Sequence, residues 1–339
     1  MRARERVRRI LNHEPVDRVP TQINYTTKMG RKLADHLGVA LEELPKRFDN
    51  HLLRLDVTCE KRTNKDGTVA YDWWGAGWDT RQEGYRHAEA PLEEAESLEG
   101  FPWPDPEGPH LLDAARAALE DDEGEHFAIP NFGFALFERA WSLRGFETFL
   151  MDPLLNPEFA EELLERITEI QVALARRYVA LGVDGGYFGD DLGAQKGLLF
   201  SPGLWRKMFK PRLARMFAVF RDAGLPVIMH SDGDIVEILP DLIEIGLSAL
   251  NPCQPEVLDH KRLKREYGKD LAFYGGVSTQ EVLPRGTPGE VRAAVELCVR
   301  TLGSDGTGLL LGPSHRMMSD IPMSNVDALL EAVNVARFT

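Results

Sequence analysis

Two histidines and several carboxylates stand in this sequence where metal or acid–base chemistry can be assembled. The segment IMHSDGD places His230 and Asp232 two residues apart, and in a strand residues i and i+2 point to the same face. An imidazole and a carboxylate there can share one ligand. His315 ends a later apolar run, GLLLGPSH. Two imidazoles and one carboxylate with open positions suit Zn²⁺ or a non-haem Fe²⁺. The plainer reading is a pair of hydrogen-bonded histidines that hold a substrate carboxylate or nothing. Asp190 and Asp191, in YFGDDLGAQKG, are neighbours, so only one can enter a pocket lined by their strand. That one is expected to serve as general base or ligand; the alternative is a helix cap or an ion pair with a loop cation such as Lys196. Asn24, Asn251, Gln254 and Tyr274 also lie at or near the ends of apolar runs, and offer donors and acceptors that would orient a substrate. Cys253, between two of them, reads as a buried structural thiol.

The elements around these residues give them a common address. Eight short apolar runs end in polar residues or glycine: VPTQIN (19–24), HLLRLDV (51–57), FAIPNF (127–132), GGYFGDD (185–191), PVIMHSD (226–232), SALNPCQ (248–254), LAFYGG (271–276) and GLLLGPSH (308–315). Helix-period stretches alternate with them. Eight strands separated by helices predict an α/β protein, a single (β/α)₈ TIM barrel spanning 1–339. Such barrels carry their working residues at the C-terminal strand ends, which is where His230, Asp232 and His315 fall. A doubly wound sheet is the structural alternative, but neither GxGxxG nor GxxxxGK[ST] occurs.

Other segments fill out the plan. The Trp-rich stretch 69–85 predicts a hairpin, and the acidic, Pro-rich stretch 91–109 a surface linker, so an excursion covers about 60–110. A helix is expected over 202–224, burying Leu204, Met208, Leu213, Phe217 and Phe220. The arginine-rich start, residues 2–11, reads as a solvated helix that packs Val7, Ile10 and Leu11.

Composition bounds the function classes. With 339 residues, 43% hydrophobic and 28% charged, the chain has the profile of a soluble globular protein. A net charge of −14 argues against nucleic-acid or anionic-membrane partners. No apolar run reaches the ~18–20 residues of a membrane helix, and the start lacks the apolar core of a secretory signal. Three scattered cysteines, Cys59, Cys253 and Cys298, do not form a disulfide framework. The expected location is the cytoplasm and the expected partner a small-molecule substrate.

Nearly the whole chain resembles the uroporphyrinogen decarboxylase superfamily. The resemblance is carried by RERVRRILNHEPVDRVP, FPWPDPEGP, FGDDLGAQKGLLFSPGLWRKMFKPRL, PVIMHSDGDIVEILPDLIEIGLSALNPCQP, FYGGVSTQEVLPRGTPGEV and LGPSHRMMSDIPMSNV. It implies a (β/α)₈ barrel and, by analogy, a homodimer. True decarboxylases carry an arginine-bearing RQAGR segment after the first strand; the matching QINYTTKMGR has no arginine before Arg31. Their essential aspartate lies in an FSDI-like second strand, where this chain offers Asp56 in LRLDVTCE. The chain is more similar to the corrinoid-dependent branch, of the methylcobalamin:coenzyme M type. That branch holds zinc with H-x-C on the fifth strand and a cysteine after the eighth. The matching positions here are His230, Asp232 and His315. Replacing two thiolates by Asp and His makes a harder site that polarises oxygen better. The resemblance therefore implies a zinc-assisted methyl transfer between an oxygen-bearing molecule and a corrinoid carried by a separate protein. A decarboxylase acting on a tetrapyrrole or another substrate is the alternative. A non-catalytic barrel that binds a corrinoid or tetrapyrrole is a third reading.

Overall fold

The computed structural model describes residues 1–338. Seven of the apolar runs form one parallel sheet: β1 (Leu52–Leu55), β2 (Phe127–Phe132), β3 (Gly186–Gly189), β4 (Val227–His230), β5 (Ala249–Asn251), β6 (Ala272–Val277) and β7 (Leu309–Pro313). Their order in the sheet is their order in the chain. Strands β3, β5, β6 and β7 are buried from end to end, as parallel strands covered on both faces must be.

The sheet is curled. One apolar cluster takes residues from all seven strands, from Leu52 in β1 through Ile129, Tyr187, Ile228, Ala249 and Tyr274 to Leu310 in β7. The two edges can share a cluster only if the sheet bends back on itself. Val7, Ile10 and Leu11 of the N-terminal helix Ala3–Leu11 join the same cluster. The arginines of that helix are structural. Arg6 is buried against Asp17 at 2.7 Å, and Arg4 and Arg8 reach Asp184 at 2.8 and 3.1 Å.

The eighth run, VPTQIN, stays extended but is not a full strand. Thr21 forms single parallel bridges to Asn50, just before β1, and to Leu311 in β7. The Gln22 amide donates to the Leu311 carbonyl at 2.9 Å, and the Leu311 amide to the Pro20 carbonyl at 2.8 Å. A Cβ on residue 312 would stand 2.2 Å from the Gln22 carbonyl, so Gly312 is what admits this segment beside β7.

Two segments differ from expectation for local reasons. The helix expected over 202–224 is two helices, Pro202–Met208 and Lys210–Arg221. Pro211 has no amide to continue the first ladder, and sits in the first turn of the second. Met208, Leu213, Phe217 and Phe220 are buried as expected, and Leu204 partly so. The expected hairpin is a four-stranded antiparallel sheet of Arg62–Thr63, Val69–Tyr71, Gly77–Asp79 and His87–Glu89. The acidic linker is tied down by Arg144, whose Nη1 donates to the Leu92 and Ala95 carbonyls at 2.7 Å each. Among the described residues, no helix is long and apolar enough to cross a membrane.

Candidate active site

Strand β4 ends on His230, and Asp232 follows two residues later. Each of His230, Asp232 and His315 offers one ligand atom, and these atoms lie within 4.8 Å of one another. His230 Nδ1 is 2.7 Å from the Asn251 amide oxygen. That oxygen can only accept, so Nδ1 carries the hydrogen and Nε2 keeps its lone pair. Nε2 faces the carboxylates of Asp191 at 3.6 Å and Asp232 at 3.8 Å. Asn251 is itself fixed at both ends. Its oxygen accepts from the Tyr187 hydroxyl at 3.0 Å, and its NH₂ donates to the Tyr274 carbonyl at 3.0 Å. Burial, opposed by His230 and reinforced by Asp191, raises the Asp232 carboxyl to about 6. His315 is exposed at the mouth, yet the protein around it and the neighbouring His230 lower its imidazole to about 4. A divalent cation would reverse the logic at Asp232 by favouring its ionised form.

The two adjacent aspartates separate as strand alternation requires. Asp191 lines the cavity and accepts the Asp232 amide at 2.8 Å. Asp190 faces the other way, fully buried, and receives the amides of Leu136, Phe137 and Glu138 at 3.3, 3.0 and 2.8 Å. It therefore caps the helix Phe137–Arg144. The expectation of Asp190 as a catalytic candidate beside Asp191 is corrected on this geometry, because it does not reach the cavity.

Gln254 is likewise corrected as a substrate-binding residue. Strand β5 ends at Asn251, and Cys253 adopts a left-handed conformation (φ 53°) that turns the chain. Gln254 is consequently buried behind the site, where its carbonyl accepts the Gly233 amide at 3.4 Å. Asn251 lines the cavity, but with both ends of its amide engaged it positions His230. Asn24 and Tyr274 also line the cavity, with the Asn24 amide donating to the Tyr274 hydroxyl at 2.9 Å.

The cavity is about 350 Å³ and opens at the C-terminal ends of the strands. Its wall includes groups that sequence reasoning passed over. Trp78 and Tyr85 descend from the antiparallel excursion, while Phe134 and Trp141 come from the segment after β2. Trp78 meets Phe134 edge to face with centroids 4.8 Å apart, and Phe134 meets Trp141 at 5.7 Å. Glu138 is a buried wall residue whose carboxyl lies well above the usual range. Burial is the main cause, and the charges of Asp191 and Asp190 add to it. Arg54, the third residue of β1, reaches the same cavity. Its signal was present in the sequence: a cation at i+2 from Leu52 in an apolar strand must point where Leu52 points. Glu138 had no such signal, because only the Asp190 cap places its helix here.

Comparison with known proteins gives the following relationships. The family model for uroporphyrinogen decarboxylase (URO-D) matches residues 68–335. The methylated-thiol–coenzyme M methyltransferase of Methanosarcina mazei is 23% identical over 198 residues, covering 58% of this chain and 50% of that protein. The chain thus spans about half the length of the curated relative it matches. A solved structure described as a methyltransferase from Methanosarcina mazei superposes with a TM-score of 0.73 at 21% identity, covering 98% of each chain. That likeness is one of fold.

Proposed function

The chain belongs to the uroporphyrinogen decarboxylase (URO-D) family, and from that premise we propose that it is a metal-assisted methyltransferase. It would move a methyl group between an oxygen-bearing small molecule and a corrinoid carried by a separate protein. The observation that carries this reading is the convergence of His230, Asp232 and His315 within 4.8 Å, with both histidines lining one cavity. The donor set fits a metal: the His230 tautomer leaves Nε2 free, and two imidazoles with one carboxylate leave positions open. Zinc is the ion that this set suits first, and Fe²⁺ second. Bound there, the ion would act as a Lewis acid toward a substrate oxygen.

The remaining steps fall to side chains. In the demethylation direction the C–O bond breaks, its electron pair stays on oxygen, and the methyl carbon passes to the electron pair of a reduced corrinoid. The departing oxygen needs a proton. Glu138, whose carboxyl burial and the neighbouring Asp191 charge push well above the usual carboxylate range, is the group placed to give it. Asp191 is the acidic neighbour through which that proton is restored. Asn24 and Tyr274 orient the substrate, and Asn251 holds His230.

The cavity also weighs against a tetrapyrrole substrate. Eight carboxylates call for many cationic clamps, whereas among the described residues the arginine and lysine side chains lining the cavity are Arg54 and Arg316 alone. Methyl transfer is therefore favoured over a decarboxylase of that kind, and over a barrel that only carries a corrinoid. We take the Thr21 segment as the eighth stave of a closed (β/α)₈ barrel built from one domain, 1–339, on the strength of its bridges to both sheet edges. The same reading places the enzyme in the cytoplasm as a homodimer.

The test is elemental analysis of protein purified without chelators, together with methyl transfer to reduced cobalamin from methoxylated donors. About one zinc per chain, lost in both His230→Ala and His315→Ala, is expected alongside the appearance of methylcobalamin. Absence of metal after reconstitution, or of transfer from every donor, refutes the proposal.

A further inference from the structure

Among the described residues three arginines are buried, and each meets an aspartate: Arg6 with Asp17 at 2.7 Å, Arg139 with Asp72 at 2.6 Å, and Arg144 with Asp152 at 2.8 Å. Arg54 breaks the pattern. Its guanidinium carbon lies 4.1 Å from the centre of the Tyr187 ring, and its Nε is buried with no hydrogen-bond partner. Among the described residues it forms no ion pair. The polar groups beside it are the neutral hydroxyls of Tyr187 and Tyr274, which help to keep the half-buried guanidinium charged. An unpaired cation with a buried donor is unfavourable unless something supplies the missing anion. Because Arg54 lines the cavity, a ligand can supply it.

We infer that Arg54 anchors a carboxylate of the substrate, and that the substrate is a small aromatic methyl ether bearing that carboxylate. The inference rests on the methyl-transfer reading for its ether end. Its anionic end rests on Arg54 alone. A planar guanidinium fork matches a carboxylate in shape as well as charge. A continuous line of contacts joins the anchor to His230 in one cavity that His315 also lines: His230 on Asn251, Asn251 on Tyr187, and Tyr187 beneath Arg54. In the same cavity, Trp78, Phe134 and Trp141 form an apolar aromatic wall, with Trp78 and Trp141 6.3 Å apart. That wall is not a free cage for a cationic methyl donor. Arg139 already stands over Phe134 at 5.6 Å and Arg316 over Tyr85 at 4.8 Å. A neutral ring is what the wall accommodates, and a cavity of about 350 Å³ suits one ring with short substituents.

The test is calorimetric titration of the zinc-loaded protein with 4-methoxybenzoate, its neutral isostere 4-methoxybenzamide, and 4-methoxybenzenesulfonate. The benzoate is expected to bind about tenfold or more tightly than the amide, as one charge-assisted pair warrants, and more tightly than the sulfonate. Arg54→Met should abolish the preference and Arg54→Lys should restore part of it. Removing an unpaired, half-buried charge should also leave the melting temperature of Arg54→Met at or above that of the parent. Equal binding of acid and amide, a preference that survives in Arg54→Met, tighter binding of the sulfonate, no binding of any of the three, or a strongly lowered melting temperature overturns the inference. Cobalamin methylation from neutral methoxybenzene without acid selectivity would leave methyl transfer standing and remove the anchor. Acid-selective binding with no transfer to cobalamin would do the reverse.

Discussion

Asp190 decides whether the acidic wall of the cavity is built by a helix cap or by a second catalytic carboxylate. Its Oδ1 receives the Leu136 and Glu138 amides and its Oδ2 the Phe137 amide, all without solvent. Asp190→Asn keeps one acceptor oxygen but turns an NH₂ toward a backbone donor. One buried amide is then orphaned and opposed, at about 2–3 kcal/mol. Asp190→Ala orphans three, at roughly 1–2 kcal/mol each, or about 3–6 kcal/mol. An unfolding entropy of ~2.1 cal/mol/K per residue gives about 0.7 kcal/mol per degree for a chain of this length. Above about pH 7, where Asp190 is ionised, the Asn variant should therefore melt about 3–4 °C below the parent, and the Ala variant about 4–9 °C below.

Acidity adds a second signature to the same experiment. Burial, against the three amides, raises the Asp190 carboxyl to about 7 from 3.8 in the unfolded chain. A raised acid contributes stability that is complete below pH 3.8 and is lost as pH rises through about 7. The Asn variant does not titrate, so its deficit should be largest near pH 4 and should shrink toward pH 7. Melting curves by circular dichroism across that range, with zinc content and transfer rate on the same samples, provide the measurement. Zinc should be retained, since no triad ligand is altered, and the rate should fall only as far as displacement of Glu138 and Trp141 requires. A melting temperature within one degree of the parent, with a transfer rate a hundredfold down, would refute the cap and return Asp190 to the chemistry.

Three further outcomes follow from other parts of the molecule. Glu138→Gln should fold normally and bind zinc yet slow single-turnover methyl transfer about a hundredfold or more, the usual share of a proton donor; a rate within threefold of the parent ends that assignment. Gly312→Ala drives a methyl into the Gln22 carbonyl, 2.2 Å away, and should lose about 1–3 kcal/mol while opening residues 20–24 to proteolysis; unchanged melting and proteolysis would mean that the Thr21 segment does not depend on that approach. His51 is buried, and Arg6 Nη1 lies 2.9 Å from its Nε2. Burial, only partly offset by Asp49, lowers its imidazole to about 4 from 6.5. Its neutral form thus contributes stability above pH 6.5 that is lost as pH falls toward 4, and urea titrations should show a flatter acid limb in His51→Asn than in the parent.

The fold was legible where short-range pattern and burial agree. Six strands stand within the runs that apolar composition marked, and Ala272–Val277 overruns its own by one residue, because a parallel strand covered on both faces leaves a continuous apolar signature. VPTQIN was marked by the same signature but forms only bridges at Thr21. Its place is set by the close approach that Gly312 allows, which is a property of two distant segments. Pro211 was a local signal left unread, and it alone divides the helix expected over 202–224.

At the site, legibility followed strand parity and ended where the strands end. His230 and Asp232 were paired by a two-residue count, and β4 runs to His230 with Asp232 just past its end, so the count still holds. The same count applied to Asp190 and Asp191 gave opposite faces correctly but could not say which face was the cavity. That choice is made by the three amides of a helix more than fifty residues earlier. For Gln254 the count fails outright, since the left-handed turn at Cys253 intervenes. Arg54 shows the opposite case: parity with Leu52 was enough to point it inward, but a sequence does not reveal that no aspartate waits for it there. Its functional meaning comes from a missing partner, and only the folded chain, in which Arg6, Arg139 and Arg144 all find theirs, makes that absence visible.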